Sequence, residues 1–136
     1  MKKNLLATMG LLAGLAMGAM PQAMAQNKVQ MGVVTALTGP MAAPGVFQMN
    51  GFKLAVEELN AAGGITVAGR KYTVELKVYD TRATPSEGAS AMQRLATVDK
   101  VPVVLGELSS GVAAAIGPIA QDYSMPLILT VPTGPN

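Results

Sequence analysis

Ser109 and Ser110 sit between two patterns of different period. Before them the apolar, β-branched run Val103-Val104-Leu105 stops at Gly106 and Glu107; after them Gly111-Val112 opens a small-residue helical pattern. A strand-to-helix corner of this kind is where open α/β sheets hold ligands. A serine at a helix start caps one of the orphan amides of the first turn, and the amides left over, with the helix dipole, favour an anion just beyond. The corner therefore suits either a plain cap by Ser109 or Ser110, or a seat for a carboxylate. Two acidic residues, Asp80 and Glu107, also stand at strand ends. Each could meet a cation or an ammonium group; otherwise Asp80 stabilises its own turn and Glu107 is solvated or faces the helix dipole.

Catalytic chemistry has little to work with. The chain contains no histidine and no cysteine, which excludes Ser-His-Asp and Cys-His nucleophiles within it, along with the usual zinc ligand sets. Gly106 to Gly111 has the glycine spacing of half a phosphate-binding loop, but Val112-Ala113 replace the Lys-Ser/Thr pair that would hold phosphate and magnesium. No Gly-x-Gly-x-x-Gly follows the first strand, and no Gly-x-Ser-x-Gly occurs. The reading is of a binding protein with no cofactor.

The elements that place these residues follow a leader. Met1-Lys2-Lys3-Asn4 is a basic start, Leu5 to Met20 is an uncharged apolar run, and Pro21-Gln22-Ala23-Met24-Ala25 ends in a small-x-small cleavage pattern. Residues 1–25 read as an export signal cleaved after Ala25, and residues 26–136 as the mature chain. The run is short for a membrane span and carries Gly10, Gly14 and Gly18. Lys2 and Lys3 account for the whole formal charge of +2, so the remainder is neutral. With no basic patch and few aromatics, nucleic acid is not a partner.

The mature chain alternates β and α patterns, which predicts a parallel sheet flanked by helices. The first strand is expected over Val29–Leu37, ending at Thr38-Gly39-Pro40. The first helix is expected from about Val46 to Ala62, with Phe47, Gly51, Leu54, Ala55, Leu59 and Ala62 on its buried side and Gly63-Gly64 closing it. Ile65–Val67 and a turn lead into the second strand proper, Tyr72–Asp80, whose alternation suggests a place near a sheet edge. Thr84-Pro85-Ser86-Glu87 combines a Thr cap, a first-turn proline and a third-position Glu. Ala89, Met92, Leu95 and Ala96 should form the buried stripe of that helix, which should end near Val98 or Asp99. Val101–Leu105 is the third strand and Leu127–Thr130 the fourth. Between them Val112, Ala115, Ile116, Ile119 and Tyr123 line a helix that Gly117-Pro118 should kink or break. No helix follows the last strand, so the pattern predicts a fragment of a larger domain.

In a parallel sheet the carboxyl ends of the strands share one edge. The turns after the first, third and fourth strands, at Thr38-Gly39-Pro40, Glu107 to Gly111 and Thr130 to Thr133, should converge there. Hydroxyls, glycines and prolines in these turns suit a small polar or zwitterionic solute.

The chain resembles the leucine/isoleucine/valine-binding protein family, the periplasmic solute receptors of ABC importers for branched-chain amino acids. The resemblance rests on Leu37-Thr38-Gly39-Pro40, Asn50-Gly51-Phe52-Lys53-Leu54-Ala55, Asn60-Ala61-Ala62-Gly63-Gly64-Ile65, Tyr79-Asp80, Pro85, Gly106 with Ser109-Ser110, and Met125-Pro126-Leu127-Ile128. It implies the first part of the N-terminal lobe of a two-lobed type I periplasmic binding fold, closing on its solute like a hinged clamp and docking on a membrane permease. It also implies a monomer. By the same resemblance the Ser110 hydroxyl and amide, the Val131 carbonyl and the Thr133 hydroxyl hold an amino acid's carboxylate and ammonium groups. Ala43 and Pro44, in the loop after Gly39-Pro40, would line the side-chain pocket, and Ser109 takes a structural place. The chain departs from the family in three respects: Ala83 and Ser109 stand where some members have a disulfide, Val131-Pro132-Thr133 replaces an Ala-rich corner, and Pro44 stands where some members place a pocket aromatic. Alternative readings are a receptor for amides, urea or aromatic carboxylates on the same scaffold, or an exported α/β enzyme whose catalytic part lies elsewhere.

Overall fold

The structure, a computed structural model, describes residues 27–130. Its elements run β1 (Asn27–Thr35), α1 (Ala42–Ala61), β2 (Ile65–Val67), β3 (Arg70–Asp80), α2 (Pro85–Arg94), a π-helical turn (Leu95–Asp99), β4 (Val104–Gly106), α3 (Ser110–Asp122) and β5 (Leu127–Ile128). They form a five-stranded sheet in the order β2-β3-β1-β4-β5. Four strands are parallel, as the alternating pattern predicts. The exception is β2, which pairs antiparallel with β3 through the Ala68-Gly69 turn and covers only Arg70 to Tyr72.

β1 is the central strand. It pairs along its whole length with β3, from Asn27 opposite Tyr72 to Thr35 opposite Asp80, and on its other side with β4. Helices α2 and α3 pack together on one face, where Val34, Met92, Leu95, Val104, Val112 and Ile116 form the core. Successive strand side chains alternate between faces, so Val33 and Thr35 turn to the other side, the side of α1.

Helix α1 inverts the expected burial. Phe47 is 74% exposed and Leu54 57%, whereas Gly45 and Met49 are buried and Phe52, Val56 and Asn60 are half-buried. The reason is steric. A side chain at Gly45 would begin 1.7 Å from the Ala36 carbonyl oxygen, so the helix reaches the end of β1 only along the line through its smallest residue. The end of α1 is as expected: Gly63 and Gly64 take φ of 100° and 78°, and their amides donate to Asn60 and Leu59 carbonyls at 3.0 and 2.9 Å, a Schellman turn. Just before it, the Asn60 side chain bonds both the amide and the carbonyl of Val74, each at 2.8 Å, beyond the point where β2 stops.

Three smaller expectations change. α3 runs unbroken through Pro118; the carbonyl denied its partner belongs to Ala114, which is exposed to water. Its buried side is Val112, Ala113, Ile116 and Ala120, with Tyr123 49% exposed at the end. Thr84 sits at the N-cap of α2, but its hydroxyl donates to the Thr81 carbonyl at 2.9 Å instead of capping, and the buried residues of α2 are Gly88, Ala91 and Met92.

Candidate functional site

The strand order changes direction at β1, which has β3 on one side and β4 on the other. The chain leaves β1 towards α1 on one face and leaves β4 towards α3 on the opposite face. The loops after these two strands must therefore part, and the crevice between them is the usual ligand position of an open α/β sheet.

On the β4 side the corner opens with Gly106 at φ +118°, where a side chain would begin 1.8 Å from the Val34 carbonyl oxygen. The Gly106–Glu107 peptide is cis. Glu107 is fully buried, which removes the solvated role considered for it. Its Oε2 accepts the Thr81 hydroxyl at 2.7 Å, and its Oε1 accepts the Leu108 and Ser109 amides at 2.9 and 3.0 Å. Ser109 occupies the N-cap with an extended backbone, φ −85° and ψ 122°, but its hydroxyl makes no capping bond. The expected cap is thus absent. Because α3's first intrahelical bond is from the Ala113 amide to the Ser109 carbonyl at 2.9 Å, the amides of Ser110, Gly111 and Val112 have no intrahelical acceptor. Ser110 is half-buried and Gly111 exposed, and Pro85 at the start of α2 lies 4.0 Å from where a Gly111 side chain would begin.

On the β1 side, Asp80 fastens the corner. Its Oδ2 accepts the Thr38 hydroxyl at 2.5 Å, and its Oδ1 accepts the amides of Leu37 at 2.8 Å, Thr38 at 3.3 Å and Arg82 at 2.9 Å. Burial opposes the charged carboxylate most strongly, yet the Thr38 hydroxyl and the three amides together hold Asp80 below the ordinary carboxylate range. Asp80 does stabilise its own turn, through Arg82, and it binds a second turn as well. The Thr35 hydroxyl is buried with no hydrogen-bond partner among the described residues, as is the side-chain oxygen of Gln48. Gln48, on α1, also bonds the Thr130 hydroxyl beyond β5 through its amide nitrogen.

Of the turn expected at Thr130 to Thr133 only Thr130 lies within the described residues; the carboxyl ends of β1, β4 and β5 share one edge, as their parallel pairing requires. That edge includes the corner after β3, which supplies Asp80 and Thr81. Ala43 and Pro44 belong to the exposed first turn of α1 and not to a loop, since the helix begins at Ala42; a proline fits there because the first-turn amides need no intrahelical acceptor. Val131 and Thr133 lie outside the described residues. Thr81 and Gln48 escape the sequence reading because each acts through a partner distant in the chain, and Thr35 because only the packing of α1 on the end of β1 buries its hydroxyl. A hollow of about 180 Å³ lined by Tyr79, Asp80, Glu87 and Arg94 borders this edge. An apolar one of about 330 Å³, lined by Val29, Ile65, Val67, Tyr72 and Pro102, lies at the opposite end of the strands. Among the described residues no group of acidic side chains is arranged to hold a metal ion, and no helix is long and apolar enough to cross a membrane.

The chain is similar to the Leu/Ile/Val-binding protein BraC3 of Rhizobium johnstonii, at 33% identity over 113 residues, 83% of this chain and 29% of the relative. Among solved structures it is similar to the branched-chain amino acid transporter substrate-binding protein LivJ of Streptococcus pneumoniae in complex with isoleucine, with a TM-score of 0.69 and 35% identity over 76% of this chain and 28% of that one. It is also similar to a solute-binding protein of an ABC transporter from Rhodopseudomonas palustris in complex with 3,4-dihydroxybenzoic acid, with a TM-score of 0.66 and 30% identity over 76% of this chain and 27% of that one. The chain thus spans less than a third of each of these proteins. Residues 28–136 match the sequence model of the periplasmic binding protein family, and with the mostly parallel sheet of its type I members the chain belongs to that family.

Proposed function

We propose that the chain is part of a periplasmic solute receptor that captures a small carboxylate-bearing solute, a branched-chain or other aliphatic amino acid, and delivers it to an ABC permease. The observation that carries this reading is the first turn of α3. Among the described residues no side chain caps it, and its Ser110, Gly111 and Val112 amides lack intrahelical acceptors on the edge where the β1 corner also ends. Such a turn favours an anion. In this reading Ser110 and Gly111 meet the carboxylate, Val131 and Thr133 meet the ammonium and carboxylate, and Ala43 and Pro44 line the side-chain pocket, while Ser109 and Glu107 shape the turn. Residues 1–25 are the export signal, cleaved after Ala25; the receptor works as a monomer without a cofactor and catalyses no reaction. The relatives named for leucine, isoleucine and valine binding support the solute class.

A second reading, a receptor for aromatic carboxylates, is favoured by the similarity to the Rhodopseudomonas palustris protein in complex with 3,4-dihydroxybenzoic acid. Thermal-shift and calorimetric scans of the complete gene product against aliphatic amino acids, hydroxybenzoates, short amides and urea decide between them. The proposal expects stabilisation by aliphatic amino acids, each recovered unchanged. Response to hydroxybenzoates alone selects the second reading, and response to no member of the panel overturns both.

A further inference from the structure

Glu107 has an unusual position for a carboxylate. It is fully buried, directly behind a helix start that would otherwise favour an anion. Among the described residues it meets three donors: the Thr81 hydroxyl on Oε2, and the Leu108 and Ser109 amides on Oε1. Thr81 is buried too. Its hydroxyl oxygen receives the Ala83 amide at 3.4 Å, and its own amide donates to the Thr35 carbonyl at 3.0 Å. A hydroxyl that accepts from Ala83 is left to donate to Glu107, so both carboxylate oxygens act as acceptors.

These bonds have a directional effect. Leu108 and Ser109 carry the last two amides before α3, and Glu107 turns both inward. The three amides that follow have no intrahelical acceptor, and those of the half-buried Ser110 and the exposed Gly111 are accessible on a turn that the Ser109 hydroxyl does not cap. Removal of Glu107 would release two buried-side amides to compete for the same anion or for the serine hydroxyls, and the turn would lose its tether to β3.

We propose that Glu107 is a positioning residue for the solute seat: through Leu108, Ser109 and Thr81 it fixes the turn that presents the Ser110 and Gly111 amides, without touching the solute. The inference rests on the proposed solute site at this edge. It replaces a direct ligand role for Glu107 and assigns Thr81 to the same device. Coupling of the β3 and β4 corners follows, because one buried hydrogen bond joins them across 26 residues of chain.

The test uses Glu107→Leu, Glu107→Gln, Thr81→Val and Thr81→Ser in the complete gene product. Two readouts are needed: affinity for leucine and for 4-hydroxybenzoate by calorimetry, and amide hydrogen exchange at Leu108 and Ser109 without solute. Glu107→Leu should keep its circular dichroism spectrum, lose tenfold or more in affinity, and exchange both amides at least tenfold faster. Glu107→Gln should recover most of both effects, since its carbonyl can take the two amides and its amide can donate to the Thr81 oxygen. Thr81→Val should show a smaller loss in both, which Thr81→Ser restores. Unchanged exchange at Leu108 and Ser109 in Glu107→Leu, or affinity within twofold of the parent, overturns the inference. If Glu107→Leu does not fold, Thr81→Val against Thr81→Ser decides by the same two readouts. If the parent protein binds neither solute, the proposed solute site is wrong, and exchange alone then decides whether Glu107 holds the turn.

Discussion

Thr38 and Asp80 are 42 residues apart in the chain and are joined hydroxyl to carboxylate at 2.5 Å. The bond ties the corner after β1 to the corner after β3, and two amides of the β1 corner reinforce it. Asp80→Ala is expected to cost about 1–2 kcal/mol of stability, since the lost bonds go to a charged group but only the Leu37 amide is left half-buried, the Thr38 and Arg82 donors being exposed to water. The folded carboxyl titrates below its ordinary range, so its stabilisation is present above the unfolded value near pH 4 and is lost as the pH falls through the lower folded value. Urea unfolding between pH 2 and 6 should show this acid-side loss in the parent and a flatter profile in Asp80→Asn.

Ser110→Ala and Thr133→Ala should each weaken solute binding by about 1–3 kcal/mol, roughly five- to 150-fold, if each holds a charged group of the solute. Ser109→Ala should change affinity less than either, because the Ser109 hydroxyl makes no capping bond while its amide is held by Glu107. Calorimetry on the three variants of the complete gene product checks the order.

Two glycines of α1 should respond to alanine with opposite sign. At Gly45 the new methyl would begin 1.7 Å from a backbone oxygen, whereas at Gly51 nothing lies within 4 Å. Gly45→Ala is expected to cost about 3 kcal/mol or more through overpacking against the end of β1. Gly51→Ala should stabilise by about 0.5–1 kcal/mol through helix propensity. Thermal unfolding of the pair would measure both.

The buried side of α1 makes a related prediction. Met49 is 4% exposed and Phe47 is 74% exposed. Met49→Ala should cost about 2–5 kcal/mol, whereas Phe47→Ser should stay within about 0.5 kcal/mol. Urea midpoints of residues 26–136 carrying either change would check this, and a larger effect at Phe47 would restore the burial expected from hydropathy.

What could be read from residues alone was what local chemistry decides. The Pro85 start of α2, the Gly63-Gly64 stop of α1 and the break of β4 at Gly106 depend on backbone angles and missing donors, so each lies within a few residues of its cause. The burial of α1 was misread because close approach selected Gly45 and Met49, and hydropathy does not register an approach distance. At the candidate site, the serine corner was legible from the change of period at Gly106. The buried tie made by Glu107, and the tie Asp80 makes beyond its own turn, were not. Both depend on hydroxyl partners, Thr81 and Thr38, that only the sheet order brings within reach.

Asn60 meets Val74 as another strand would, giving and taking one hydrogen bond with the same residue's backbone. It stands where β2, only three residues long, has already ended. A helix side chain thereby occupies the place along β3, next to the end of β2, where an unpaired backbone could begin to recruit a foreign strand. Loss of this amide should therefore appear first as self-association and deposit formation, at concentrations where the parent chain stays dispersed.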